Sequence, residues 1–252
     1  CITDDDDLSL GMGKTSQTWP IDELPALQDI QWHTYKDIPR ALITGTNGKS
    51  TSVRLASHIA KAAGFVAGVT STDFIRVGDD IIDNGDYSGP GGARMLLRDS
   101  RTEIAFLEVA RGGILRRGIP IDSVDAALIT NVASDHLGQY GINTVEELAE
   151  TKFVVAKGLD QQGILVLNAD NELVIAQGLK LDKSICWYST DESNVLIQSQ
   201  ISCGGAAVFI RNHHIIYVSG YKEENIASLE QVPMTLNGAA QHNVQNALGV
   251  VG

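Results

Sequence analysis

GTNGKST, Gly45 to Thr51, follows the apolar run ALIT at residues 41–44. It precedes a segment whose apolar positions Val53, Leu55, Ala56, Ile59, Ala60 and Ala63 recur at helical spacing until Gly64 ends it. A glycine-rich turn between a strand and a helix N-terminus turns backbone N–H groups inward and adds the partial positive charge of the helix end, so it suits a phosphate group. Gly45, Thr46, Asn47 and Gly48 form the turn, Lys49 reaches for outer phosphates, Ser50 offers a hydroxyl to Mg²⁺, and Thr51 continues into the helix. The pattern matches the compact G-x-x-G-K-[ST] spacing rather than the longer loop with four intervening residues. GMGKT, Gly11 to Thr15, has similar letters, but Gln17, Thr18, Trp19 and Pro20 follow it without helical spacing, and the segment reads as a turn.

Strand and helix signals alternate outward from the loop. FVAGVT (65–70), IAFLEV (104–109) and DAALITN (125–131) are short apolar runs of the kind buried on both faces of a sheet, and Gly78-Asp79 suits a hairpin turn within FIRVGDDII. Thr144 and Glu147 form a capping-box pattern for a helix running to about Lys157, ILVLN (164–168) resumes the sheet, and a last helix starts near Gln241. SICWYS, NVLIQSQI, AAVFI and HIIYVS, within 184–220, read as strands of a small antiparallel section. The fold expected is α/β, a mostly parallel central sheet flanked by helices. Residues 1–38 form an irregular arm with the acidic run Asp4 to Asp7, and 39–252 form the body.

The 252 residues are 43% hydrophobic, enough for a buried core, and the formal net charge is −12. That charge argues against nucleic acid and anionic membrane as partners, so a bound anion must be held locally. Cys1, Cys186 and Cys203 are odd in number and lack metal-type spacing, which fits a reducing cytoplasm. No apolar run approaches the ~18 residues of a membrane span, and no signal-peptide pattern opens the chain. A chain that starts at Cys1 is expected to lack flanking domains.

Glu108 ends an apolar strand at the edge where open α/β sheets bind ligands; read alone, it is a metal ligand or a solvated strand end. His136, in ASDHLG beyond the next strand, shares that edge with Asp135. Arg111, Arg116 and Arg117 in ARGGILRRG form either a solvated cluster or a wall for carboxylate or phosphate. Lys152 reads as a helix-surface lysine, and Asn243 as a helix cap or a ligand contact.

GTNGKST, TSTD (70–73), GDYSGPGGARMLLRD (85–99), LEVARGGILRRG (107–118), TNVASDHLGQYG (130–141) and AAQHNVQNALG (239–249) occur in that order. Together they resemble the central domain of the Mur ligase family, and within it the Mur-ligase-like half of the cyanophycin synthetases. The resemblance covers about 39–252. It implies an ATP-dependent ligase that activates a small-molecule or peptide carboxylate as an acyl phosphate and passes it to an amine. It further implies Mg²⁺ at two sites, with Glu108 and Ser50 at one and His136 at the second, and Lys152 carbamylated by CO₂. Asn246 would contact adenine with His242 and Asn243 in support, and Tyr87, Ser88, Arg111 and Arg116 would face the acidic substrate. A P-loop phosphotransferase without amide formation and a non-catalytic nucleotide-binding scaffold are the competing readings. The closing C-terminal domain of the family is expected to lie outside this chain.

Overall fold

A computed structural model describes residues 7–135 and 137–252. Before the body, β1 (Asp7–Leu10) and β2 (Gln17–Pro20) pair as a separate antiparallel hairpin, so the arm is less irregular than its composition predicts. GMGKT forms the connection between them. Gly11 and Gly13 take positive φ there, and the Lys14 N–H donates to the Thr102 carbonyl at 2.8 Å.

The body follows in chain order as β3 (Arg40–Thr44), α1 (Lys49–Ala62), β4 (Ala67–Thr70), β5 (Phe74–Val77), β6 (Asp80–Asn84), α2 (Pro90–Leu97) and β7 (Ile104–Glu108). Next come α3 (Arg111–Arg117), β8 (Val124–Ile129), α4 (Val145–Phe153), β9 (Leu159–Asn168), α5 (Glu172–Gly178) and β10 (Ile185–Ser189). The chain ends with α6 (Val195–Ser202), β11 (Ala206–Arg211), β12 (His214–Ser219), β13 (Lys222–Ser228) and α7 (Gln241–Val251).

One 11-stranded sheet has the order β13-β12-β11-β10-β9-β8-β3-β7-β4-β5-β6. From β11 to β4 every neighbouring pair is parallel, while β5–β6 and β12–β13 extend the two edges as antiparallel pairs. Alternate residues of the central strands feed opposite faces. Leu42, Leu107, Ile129 and Leu167 pack with helices α2 to α6 through Leu96, Ile114, Leu148, Val174 and Ile197. Ile43, Val69, Leu128 and Val166 pack on the other face with Val53 of α1 and Val244 and Leu248 of α7. Each fully buried leucine or isoleucine contributes about 1.5–3 kcal/mol through removal from water.

NVLIQSQI differs from its expected strand: Val195–Ser202 is helix α6, capped by the Asn194 side chain, which accepts from the Leu196 N–H. Its β-branched content imitates a strand, but Ile197 is buried and Leu196 and Ile201 pack beside it, which is helical rather than alternating spacing. Accordingly β10 and β11 continue the parallel sheet, and the antiparallel section begins only at β12. The Thr144–Glu147 capping box forms as read, and α4 ends at Phe153 with a 3₁₀ turn to Gly158. No helix among the described residues is long and apolar enough to cross a membrane.

The order places β7 and β4 on one side of β3, and β8 and β9 on the other. The chain therefore reverses its winding direction about β3, and the carboxyl end of β3 lies at the crevice where doubly wound sheets hold ligands. GTNGKST leaves β3 at that point.

Candidate active site

Gly48 precedes α1 with φ +86, and a Cβ there would stand 2.1 Å from Asn246 Oδ1, so the turn closes only around glycine. That contact is a tertiary one: Asn246, 5% exposed, presses α7 against the loop. The far side of the loop is braced by the segment after β8. Thr46 N–H donates to the Asn131 carbonyl at 2.9 Å, and Asn47 N–H to Asn131 Oδ1 at 3.0 Å. Asn47 O accepts from Thr130 Oγ1 at 2.6 Å and Asn131 Nδ2 at 3.1 Å. Thr130 and Asn131 escaped the residue-level reading; the available signal was a Thr-Asn pair directly after a buried strand. Lys49 Nζ lies across the loop and donates to Thr46 O at 3.0 Å.

Glu108 is 1% exposed at the end of β7. Its Oε2 accepts from Thr72 N–H at 3.3 Å, while Oε1 is buried without a hydrogen-bond partner. Burial raises its carboxyl pKa above the ordinary range, partly offset by a hydrogen bond from Ser50 and the positive charge of Lys49. Ser50 Oγ also stands 3.4 Å from Thr72 Oγ1. A buried carboxylate with an orphaned oxygen, a hydroxyl beside it and a phosphate-type loop adjoining form an oxygen donor set that fits a hard divalent cation sharing its shell with phosphate oxygens. Among the described residues no group of three or more His, Cys, Asp or Glu could hold a metal by itself. His136 lies outside the described residues.

Lys152 is not the surface lysine its sequence implies. It is 3% exposed, because α4 turns Leu148, Ala149 and Lys152 together onto the sheet, and its Nζ donates to Gly45 O at 2.8 Å. Burial, reinforced by the like charge of Lys49, holds its pKa down to about 7.

The substrate-side residues divide. Tyr87, Ser88 and Arg116 line one cavity of about 520 Å³ together with Asp86, Arg117 and the Gly89–Gly92 start of α2. Ser88 is buried, and its Oγ donates to Asp86 Oδ1 at 2.6 Å; the Tyr87 hydroxyl donates to Asp83. Arg111 is not among the lining residues. Its guanidinium donates to Gln139 Oε1 at 3.0 Å and lies over the Tyr140 ring. In α7, Asn243 does not cap the helix; its Nδ2 donates to Met234 O at 2.8 Å, and His242 is exposed.

A family model described as the Mur ligase middle domain matches residues 43–252. The chain belongs to the Mur ligase family. Cyanophycin synthetase of Nostoc sp. (strain PCC 7120) is 40% identical over 211 residues, covering 84% of this chain and 23% of the relative. A UDP-N-acetylmuramoyl-L-alanyl-D-glutamate–2,6-diaminopimelate ligase from Chlorobaculum tepidum is 27% identical over 248 residues, 92% of this chain and 46% of that protein. A solved structure of a ligase of that same name superposes with TM-score 0.56 at 20% identity, covering 87% of this chain and 46% of that one. E. coli FolC, solved with DHPP and ADP, superposes with TM-score 0.55 at 17% identity over 84% of this chain and 51% of its own. These two likenesses show the Mur ligase fold, whose parallel sheet and flanking helices agree with the sequence expectation. The chain spans about a quarter of the length of the cyanophycin synthetases it matches.

Proposed function

We propose that this chain is the ATP-binding central module of a longer ligase that joins a carboxylate to an amine. The observation that carries the reading is the meeting of Lys49 and Ser50 with the buried, half-satisfied carboxylate of Glu108 at the carboxyl edge of the sheet. In this reading the 45–51 turn and Lys49 hold the triphosphate of ATP, and Asn246 stands at the adenine side with His242 and Asn243 in support. Ser50 and Glu108 would hold Mg²⁺, and His136 a second Mg²⁺; the bound cation supplies charge neutralisation for phosphoryl transfer. Lys49 steadies the γ-phosphate while the substrate carboxylate oxygen attacks phosphorus and the bond to the β-phosphate oxygen breaks. The amine then attacks the acyl carbon, and phosphate leaves as the amide forms. Tyr87, Ser88 and Arg116 face the acidic substrate, a small molecule or peptide, from the cavity, and Arg111 stands beside them at the Tyr140 ring. The buried Lys152 amine, near half-neutral at physiological pH, is suited to add to CO₂ as a carbamate. The flanking modules of the parent protein close the site and bring the amine, and the reaction belongs in the cytoplasm, where ATP is.

The parent protein is expected to release ADP only when a carboxylate and an amine are both present, with an amide as product. ADP release with water alone, and no amide by mass spectrometry, would instead favour a phosphotransferase. Glu108→Gln keeps the shape but removes a costly buried charge. Its stability without metal is expected to match or exceed that of the parent, while the Mg²⁺ concentration for half-maximal ATP binding rises about ten-fold. An unchanged Mg²⁺ titration would remove Glu108 from the metal site.

A further inference from the structure

We propose that the turn from Gln139 to Ile142 is a positioning device for the arginine wall, with Tyr140 as the residue that acts. The proposal rests on the reading of Arg116, with Arg111 beside it, as the face toward an acidic substrate. Tyr140 and Gly141 take φ of 56° and 78° in succession, and Gly138 N–H donates to Ile142 O at 2.7 Å. The turn is anchored by Ile142, which is buried in the main core. A bulky aromatic residue in the left-handed region is costly, so the position calls for a reason to hold a tyrosine where asparagine or glycine would be easier.

The reason lies across the gap on α3. The Tyr140 side chain belongs to a residue that is 56% exposed, yet Arg111 Cζ lies 6.0 Å and Arg116 Cζ 5.8 Å from its ring centroid. Gln139 Oε1, next in the turn, accepts from Arg111 at 3.0 Å, and Arg116 Nε donates to Gly112 O at 2.9 Å. Two guanidinium groups repel each other, and an aromatic face attracts both without neutralising either. A carboxylate in the same place would fix Arg116 equally well but would consume the charge on which substrate recognition depends. Among the described residues Arg116 forms no ion pair with a carboxylate, and it lines the 520 Å³ cavity beside Arg117. A ring thus orients planar donors for bidentate capture of a carboxylate-bearing ligand, in a chain whose net charge of −12 otherwise repels one.

The same connection between β8 and α4 braces the nucleotide loop at its other end through Asn131. One segment therefore sets both the phosphate turn and the arginine wall, and Tyr140 should affect only the second.

The test uses the longer parent protein with Tyr140→Asn, which tolerates positive φ and removes only the ring, and Tyr140→Phe, which keeps the ring. The probes are MgATP and dipeptides containing aspartate or glutamate, read by ADP release, with phenylglyoxal labelling of Arg116 followed by peptide mass spectrometry. Tyr140→Asn is expected to raise the KM for an acidic dipeptide about three- to ten-fold and to speed Arg116 labelling, with the KM for ATP unchanged. Tyr140→Phe is expected to behave as the parent. Unchanged dipeptide KM and labelling in Tyr140→Asn, alongside an effect of Arg116→Gln, would overturn the proposal and leave the arginine wall standing. An unchanged dipeptide KM in Arg116→Gln itself would overturn the wall, and the proposal with it. An equal rise of both KM values in Tyr140→Asn would show a merely structural turn and also overturn it.

Discussion

Lys49→Ala is expected to weaken MgATP binding by about 100-fold or more, corresponding to roughly 3 kcal/mol, with little change in stability. The asymmetry follows from where the ammonium sits. Among the described residues its one hydrogen bond is to the Thr46 carbonyl at 3.0 Å in a part-buried setting, and such a bond contributes about 1 kcal/mol to folding. Against a triphosphate the same group faces concentrated negative charge beside a helix N-terminus, where charge-assisted hydrogen bonds are about twice as strong as neutral ones. Lys14→Ala is the control, because Lys14 lies in the look-alike GMGKT and spends its charge on Glu103 at 3.4 Å on the surface. Calorimetric titration of both variants with MgATP decides the matter: Lys14→Ala should bind as the parent does. Equal affinities for Lys49→Ala and the parent would mean that nucleotide is held elsewhere.

The contrast between those two motifs shows what could be read from the sequence alone. GTNGKST was legible because its meaning is local: a strand before, a helix after, and a glycine where φ is +86°. The capping box at Thr144 was legible for the same reason, since both partners lie within one turn. NVLIQSQI was not, because its β-branched residues speak for a strand while the deciding facts, an Asn194 cap and the packing of Leu196, Ile197 and Ile201, are divided between local and tertiary causes. The site divides along the same line. Strand-end position singled out Glu108 and family resemblance Asn246, but the orphaned Glu108 oxygen and the closure of Asn246 onto Gly48 come from elements more than thirty residues apart in sequence packing together. Thr130 and Asn131 act through their contacts with a loop some eighty residues away, at separations of 83 and 84, and no spacing rule reaches that far.

Lys152 was the residue least legible from sequence, and it yields a prediction about pH. A lysine in a helix is read as exposed unless something pairs it, and here the partner is a neutral carbonyl, Gly45 O, rather than an acid. Removal from water and the nearby charge of Lys49 bring its pKa from the ordinary 10.5 to about 7. Between those two pH values the unfolded chain carries one more proton at this position than the folded chain, so stability rises with pH across the interval and the group opposes folding most below about pH 7. Lys152→Met fills the same volume without a proton to lose. Its unfolding free energy, measured by urea titration with CO₂ excluded, is expected to exceed that of the parent by a few kcal/mol at about pH 6.5 and to converge with it only toward the ordinary lysine value of 10.5. Parallel pH profiles would mean that Lys152 keeps an ordinary affinity for its proton, and the neutral amine invoked for carbamylation would be lost with it. Adding bicarbonate near pH 8 separates the two consequences: the parent alone should gain stability and turnover, because only an unprotonated buried amine can take up CO₂ at about that pH.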